Sequence, residues 1–201
     1  MIIVSTDGSC LANPGGAIGW AWVDHSGPSA SGGSPSGTNQ VAELRAILEA
    51  ITAHPSAEPL LIESDSLYAI KCSSEWNASW RLNGWRTASG AAVKNLELVK
   101  SIDQAIASRP GPVRFRWVRG HVGNYFNEQA DTLAGAAARA AAAAAGEIAA
   151  EPVSSTPAEP ARITPDERIA HTERARPESA RRATISEENT VLVPDEHLTL
   201  F

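Results

Sequence analysis

The sequence has few of the features that mark secreted and membrane proteins. Its 201 residues include two cysteines, Cys10 and Cys72, too few for the disulfide framework of a small secreted protein. The alanine-rich run at 136–145 is interrupted by Arg139 and is barely apolar enough to favour lipid. The apolar stretch at 2–4 is too short for a secretory signal, and no basic residue precedes it. We therefore expect free thiols, no membrane association and a cytoplasmic location.

Aromatic residues and positive charge are also scarce, and both are unevenly distributed. The six tryptophans lie between Trp20 and Trp117, which places the expected core in the first two-thirds of the chain. Residues 1–145 carry 11 Lys and Arg against 12 Asp and Glu, whereas residues 146–201 carry 6 against 11. The second segment is rich in Ala, Glu, Pro, Ser and Arg, a composition typical of disordered linkers. We predict one domain over 1–145 and a linker over 146–196.

Four acidic residues stand in unusual contexts along the first segment. Asp7 and Asp65 each follow a short apolar run that predicts a buried strand, while Glu43 and Asp131 lie in segments with helical periodicity. If the two strands are neighbours, four carboxylates converge at one edge of a sheet. Their mutual repulsion requires compensation, and hard divalent cations with oxygen ligands provide it. The pattern is typical of two-metal phosphoryl chemistry, although strand-end turns and solvated helix acids would also account for each acid taken alone.

Hydrophobic periodicity predicts the element order β, β, β, α, β, α, α, α, β, α. The predicted strands are 2–9, 17–23, a short and poorly specified third strand within 26–37, 60–62 and 113–118. The predicted helices are 40–53 with Thr38 or Asn39 as N-cap, 66–74, a helical segment within 76–92, 93–107, and a last helix from 126. The first three strands are expected to form a meander, and each later strand follows a helix. This order predicts an α/β fold with a five-stranded mixed sheet flanked by helices.

Seven blocks of sequence, in order, resemble ribonuclease H of type 1 over residues 2 to about 140. They are TDGSCLANPGG at 6–16, TNQVAELRA at 38–46, SDSLY at 64–68, WRLNGWRT at 80–87, VKN at 93–95, WVRGHVG at 117–123 and NEQADTLA at 127–134. The resemblance implies the ribonuclease H fold and endonucleolytic hydrolysis of the RNA strand of RNA–DNA hybrids. It also implies 5′-phosphate and 3′-hydroxyl ends, removal of RNA primers and R-loops, and a monomer.

The resemblance assigns roles to the four acids and to one histidine. Asp7, Glu43, Asp65 and Asp131 match the family's metal ligands, which would hold two Mg²⁺ ions with substrate, and Mn²⁺ is expected to substitute. His121 matches the catalytic histidine, and the four acids are counted as catalytic with it. Glu128 is a lesser candidate that would help to hold the site. A lone histidine after glycine is otherwise most often a solvated loop residue, so it is the surrounding block that favours catalysis.

The resemblance also implies contacts with each strand of a hybrid. The residues that match contacts to the RNA 2′-hydroxyls are Asn13, Asn39 and Gln40, and Cys10 is expected to contact the hybrid nearby. The residues that match contacts to the DNA strand are Thr38, Arg86, Thr87 and Asn95 for phosphate and Trp76 for a sugar. Packing within a helical pair is the alternative explanation for the tryptophans of this region.

The region that would grip the duplex departs from a strongly basic family member. Asn83, Ser89 and Gly90 occupy positions where such a member could carry lysine. Because each neutralised phosphate adds affinity and salt dependence, we expect weaker hybrid binding and a smaller dependence on salt than for a strongly basic relative.

The last five residues, HLTLF, resemble the peptide that docks bacterial replication proteins on the sliding clamp, with His197 in place of glutamine. The expected partner-binding residues are His197, Leu198, Leu200 and Phe201. A short apolar segment that packs on the body or on another protomer is the alternative. Deletion of the chain after Asp195 tests the hypothesis, because clamp retention in a pull-down should be lost.

Two other functions share the expected fold. A non-catalytic nucleic-acid-binding module is disfavoured by the presence of all four acids and His121. A nuclease directed at DNA is disfavoured by the GSCLANP and TNQ blocks, which resemble contacts to an RNA strand.

Overall fold

The computed structural model describes residues 1–150 of the chain. The strands are β1 (Ile2–Cys10), β2 (Ile18–Asp24), β3 (Ser29–Ser34), β4 (Leu60–Ser64) and β5 (Val113–Trp117). The helices are α1 (Asn39–Ala53), α2 (Leu67–Ser74), α3 (Trp76–Leu82), α4 (Leu96–Ser108) and α5 (Tyr125–Ala150). The predicted clamp-binding residues and nearly all of the predicted linker lie outside the described residues. The predicted element order is confirmed.

The five strands form one mixed sheet in the order β3-β2-β1-β4-β5. β1 and β2 are antiparallel, as are β2 and β3, whereas β4 runs parallel to both β1 and β5. The two acid-bearing strands are therefore neighbours, as the convergence of the acids requires. The last pair in their ladder is Thr6 with Ser64. Asp7 and Asp65 each follow that pair by one residue, so both emerge at the same end of the sheet.

Helices cover both faces of this sheet. Gly8 faces α1, because a Cβ at this position would lie 2.3 Å from the backbone nitrogen of Glu43. Gly19 faces α5, because a Cβ there would lie 2.1 Å from the carbonyl oxygen of Ala134. Gly8 pairs with the residue next to Gly19, and successive strand residues point to opposite faces. α1 and α5 thus pack on opposite faces, and both approaches are too close for a side chain.

The hydrophobic core lies between the sheet and helices α1, α2 and α4. Its largest fully buried side chains include Leu44 and Ile47 from α1, Ile62 from β4, and Val99 and Ile102 from α4. These residues carry the periodicities from which the elements were predicted. No helix within residues 1–150 is long and apolar enough to cross a membrane.

α4 begins at Leu96 rather than at residue 93, and β3 and α1 also differ from the sequence prediction. Residues 29–34, predicted as a poorly specified strand, form six register pairs with β2, because its small residues fit closely under Trp20 and α5. α1 begins one residue earlier, with Thr38 as N-cap accepting from the Val41 amide at 3.3 Å. With this start, Glu43 lies beyond the first turn of α1.

Candidate active site

Three carboxylates meet where β1 and β4 end. One oxygen from each of Asp7, Glu43 and Asp65 lies within 4.8 Å of the other two. Asp7 is on β1, Asp65 follows β4 directly, and Glu43 reaches the cluster from α1. Gly8 allows this approach, since any side chain on it would collide with the α1 backbone at Ala42 and Glu43. The predicted convergence is confirmed for these three acids.

Glu43 is the most deeply embedded member of the cluster. Its side chain is 7% exposed, and its Oε1 accepts a hydrogen bond from Asn39 Nδ2 at 3.3 Å. Oε2 is buried without a hydrogen-bond partner among the described residues. A buried carboxylate oxygen without a partner is destabilising, and coordination of a cation would offset that cost.

Burial and mutual repulsion raise the pKa values of Asp7 and Glu43. Burial, followed by the charges of Asp65 and Asp131 and a hydrogen bond that protonated Asp7 donates to Asp131, raises the pKa of Asp7 to about 8. Burial, followed by the charges of Asp7 and Asp65, raises the pKa of Glu43 well above its usual value. Hydrogen bonds from Asn39 and the Gly8 backbone oppose that rise only in part. Without a cation, the cluster therefore favours protonated carboxyls.

Asp131 and His121 form the outer side of the site. Asp131 lies on α5 with 45% of its side chain exposed, and His121 Nδ1 is 4.0 Å from Asp131 Oδ2. Asp131 is close enough to Asp7 to affect its pKa by charge and hydrogen bonding, although it is not one of the three tightly grouped acids. His121 is 77% exposed and has a left-handed backbone with φ of 54°. The fourth acid thus faces both the cluster and the histidine.

Glu128 has a structural contact in the same region. Its Oε1 accepts a hydrogen bond from the Gly123 amide at 2.7 Å. That bond connects α5 to the loop that carries His121. The residue therefore supports the loop, which agrees with its lesser rank in the sequence prediction.

The residues present fit a hard divalent cation. All the grouped ligand atoms are carboxylate oxygens, the donors that Mg²⁺ and Mn²⁺ prefer. Glu43 Oε2 is buried without a partner among the described residues, and the pKa of Asp7 is raised by burial and by neighbouring negative charge. A cation offsets both effects at once.

One group of the predicted hybrid contacts lies beside the cluster. The Asn13 side-chain oxygen accepts from the Asn39 amide at 3.3 Å, and Asn39 in turn contacts Glu43. Cys10 is at the end of β1, and its thiol donates to the Ala12 carbonyl at 3.3 Å. Thr38 and the exposed Gln40 flank Asn39 at the start of α1. The structure thus connects Asn39, and through it Asn13, to the acid cluster, while Thr38 and Gln40 adjoin Asn39 in the chain and Cys10 lies at the end of β1.

A second group lies on α3, the turn that follows it and the start of α4. Asn95 donates to the Tyr68 hydroxyl at 3.1 Å, and the Tyr68 ring is 6.4 Å from that of Trp76. Arg86 donates to the Gly90 carbonyl at 2.9 Å, within a turn that also contains Thr87. Trp76 is 37% exposed, so it combines packing with an accessible ring. These four residues form a separate surface from the group around Asn39.

Three residues with close contacts to the acids were absent from the predicted site. Gly8 and Gly120 both lie where a Cβ would collide, and for Gly120 the nearest atom is Asp65 Oδ2 at 2.2 Å. Trp117 donates its indole N–H to the Asp65 carbonyl at 3.0 Å. Each lies within one of the matched blocks, but residue type alone does not indicate a close approach or a main-chain hydrogen bond. Their position within the matched blocks was the signal that could have identified these residues.

Comparison with known proteins identifies relatives of this chain. The RNase H family model matches residues 1–139. A ribonuclease H of Tropheryma whipplei (strain Twist) is 44% identical over 138 residues, covering 68% of this chain and 84% of the relative. One from Anaeromyxobacter sp. (strain K) is 41% identical over 150 residues, covering 70% and 81%. The crystal structure of a type 1 RNase H with the type 2 active-site motif is 30% identical, with a TM-score of 0.58, covering 69% of this chain and 72% of that one.

Proposed function

The chain belongs to the ribonuclease H family, and from that premise we propose a two-metal mechanism at the carboxylate cluster. Membership makes the protein a metal-dependent nuclease that hydrolyses the RNA strand of RNA–DNA hybrids. The observation that carries the proposal is the grouping of Asp7, Glu43 and Asp65 within 4.8 Å. Such a cluster of buried like charges is stable only when protonated or when bound to cations.

Asp7, Glu43, Asp65 and Asp131 would hold two Mg²⁺ ions together with the scissile phosphate, and Mn²⁺ would replace them. When bound, the ions supply the Lewis acidity that activates water and offsets the charge on a reacting phosphate. Asp7 and Glu43, being the most buried, would fix the inner ligand positions. Asp131, half exposed on α5, would complete the set from the solvent side. The products would carry 5′-phosphate and 3′-hydroxyl ends.

His121 would move protons at the edge of the site. Its ring faces Asp131 across 4.0 Å and is largely exposed to solvent. An imidazole there can exchange protons with the attacking water or help the product to leave. Support for this role comes from the position of the ring beside an acid of the cluster and from its access to bulk water.

Selection of RNA would come from the group around Asn39. Asn13, Asn39 and Gln40 offer side-chain amides beside the cluster, and amides can both donate to and accept from a 2′-hydroxyl. The separate surface of Trp76, Arg86, Thr87 and Asn95 would take the DNA strand. Its hydroxyl, amide and guanidinium groups suit phosphate oxygens.

The cellular role that we propose is the one predicted from the sequence. We propose that the protein acts as a monomer in removing RNA primers and R-loops. The division into a domain over 1–145 and a linker over 146–196 stays a prediction, as does docking on a sliding clamp through residues 197–201.

A three-duplex cleavage assay tests the proposed substrate. With Mg²⁺ present, a labelled RNA–DNA hybrid should be cut in its RNA strand, while DNA–DNA and RNA–RNA duplexes of the same sequence should stay intact. The ends are identified by whether a ligase that requires 5′-phosphate joins the products. Binding of the hybrid without cleavage would favour a non-catalytic module, and cleavage of the DNA duplex would favour a DNA-directed nuclease.

A further inference from the structure

The main chain of Asp65 lies just beyond the end of a β-ladder. The parallel pairing of β4 with β5 ends at Ser64 and Trp117, and the Val118 amide donates to the Ser64 carbonyl at 3.0 Å. Asp65 is the next residue, in the short connection to α2. Its carbonyl oxygen is past the last ladder bond, so the sheet itself does not hold it.

The indole of Trp117 contacts this carbonyl oxygen. Nε1 donates to the Asp65 carbonyl oxygen at 3.0 Å, a normal hydrogen-bond length. The Trp117 side chain is 48% exposed, in contrast to Val113 and Phe115 on the same side of β5, which pack against the core. Because much of the ring stays in water, the hydrogen bond is its most specific contribution to the structure.

The following loop restrains the same acid from another direction. A Cβ on Gly120 would lie 2.2 Å from Asp65 Oδ2, so the loop backbone closely approaches the carboxylate. The opposing influence is electrostatic, since Asp65 has ligand atoms within 4.8 Å of two other acids. Repulsion tends to move a carboxylate at a strand end away from its neighbours. A fixed main chain limits that movement and preserves a ligand geometry ready for a cation.

We propose that Trp117 is a positioning residue, whose indole N–H holds the Asp65 main chain so that the carboxylate stays in the cluster. The inference rests on the proposed function, in which Asp65 is a metal ligand. It adds to that function a residue that acts through Asp65.

Trp117→Phe tests the role, because phenylalanine keeps an aromatic ring and removes the donor. Loss of one hydrogen bond should lower kcat by roughly threefold to tenfold and raise the Mg²⁺ concentration for half-maximal thermal stabilisation by a similar factor. KM for the hybrid should be unchanged. Trp20→Phe is the matched control, since it changes another strand tryptophan, whose ring lies 5.3 Å from Arg45 Cζ and makes no hydrogen bond to an acid of the cluster among the described residues. It should leave kcat and the Mg²⁺ midpoint as in the wild type.

A third variant, Asp65→Asn, separates failure of this inference from failure of the proposed function. If Asp65→Asn abolishes the Mg²⁺-dependent rise in Tm while Trp117→Phe leaves it and kcat unchanged, the positioning role is overturned and the metal site stands. If Asp65→Asn also leaves the Mg²⁺ effect intact, the proposed function itself fails. A fall in the metal-free Tm of Trp117→Phe, with kcat and the Mg²⁺ midpoint unchanged, would show a merely structural role and overturn the proposal.

Discussion

Asp7→Asn is expected to abolish cleavage of the RNA–DNA hybrid and, without metal, to make the protein more stable. Asparagine keeps the size of the side chain but removes a charged ligand from the centre of the cluster. Since bound metal supplies several kcal/mol of transition-state stabilisation, the loss of activity should be about 10³-fold or more. The same change removes a carboxylate that is 6% exposed and surrounded by like charges, which is destabilising when ionised.

The gain in stability should depend on pH in a defined direction. The pKa of Asp7 is raised from 3.8 to about 8 in the folded protein. Between those values the folded state keeps a proton that the unfolded chain has lost, so the wild-type free energy of unfolding falls as pH rises through that window. Asparagine does not titrate. The stability advantage of Asp7→Asn should therefore be small near pH 4 and reach a few kcal/mol above about pH 8.

Chemical unfolding in EDTA at about pH 5 and about pH 9, with and without excess Mg²⁺, measures this advantage. Mg²⁺ should stabilise the wild type strongly and the variant weakly, so the order of stability should reverse on adding metal. Glu49→Gln is the control, because it neutralises an exposed acid of α1 that pairs only with Arg45 at 3.1 Å among the described residues. Equal pH dependence of wild type and Asp7→Asn would contradict the assignment of a strained carboxylate cluster.

The clustered acids destabilise the metal-free protein but are required for the proposed function. This conflict explains why they could be recognised in the sequence. Asp7 and Asp65 follow apolar runs where a charge is poorly solvated, and that local conflict is visible without a structure. The parallel pairing of β1 with β4 then places both at one end of the sheet. Sequence reasoning could reach this arrangement because strand order in a mixed α/β sheet has few alternatives.

Other parts of the site depend on close contacts between residues that are distant in the sequence. Residue type alone does not predict these contacts. Gly8 and Gly120 are needed because backbone or carboxylate atoms lie at 2.2–2.3 Å from the position of a Cβ, and glycine alone does not indicate which neighbour is close. Trp117 was predicted as a strand residue at the start of a matched block but without a role in the site, although its N–H contacts Asp65. β3 was predicted as poorly specified because its sequence, SASGGS, is small and turn-rich. Tertiary packing against Trp20 and α5 decides its structure.

His121→Asn is expected to lower kcat by about 100-fold while KM for the hybrid changes little, because proton transfer is lost and the binding groups remain. The choice of asparagine follows from the backbone. His121 has a φ of 54°, and asparagine tolerates the left-handed region far better than alanine does. The loop can thus keep its shape, including the contact of Gly123 with Glu128, while the imidazole is removed.

The measurement is single-turnover cleavage of the hybrid under saturating Mg²⁺, beside Val122→Ala as a control in the same loop. Val122 is 59% exposed, so its truncation should leave the rate near that of the wild type. His121→Gly, which also tolerates the backbone conformation, should regain activity when free imidazole is added, since a diffusing base can occupy the space beside Asp131. If His121→Asn keeps the full rate, the histidine contributes loop geometry rather than proton transfer, and catalysis then depends on the carboxylate cluster alone.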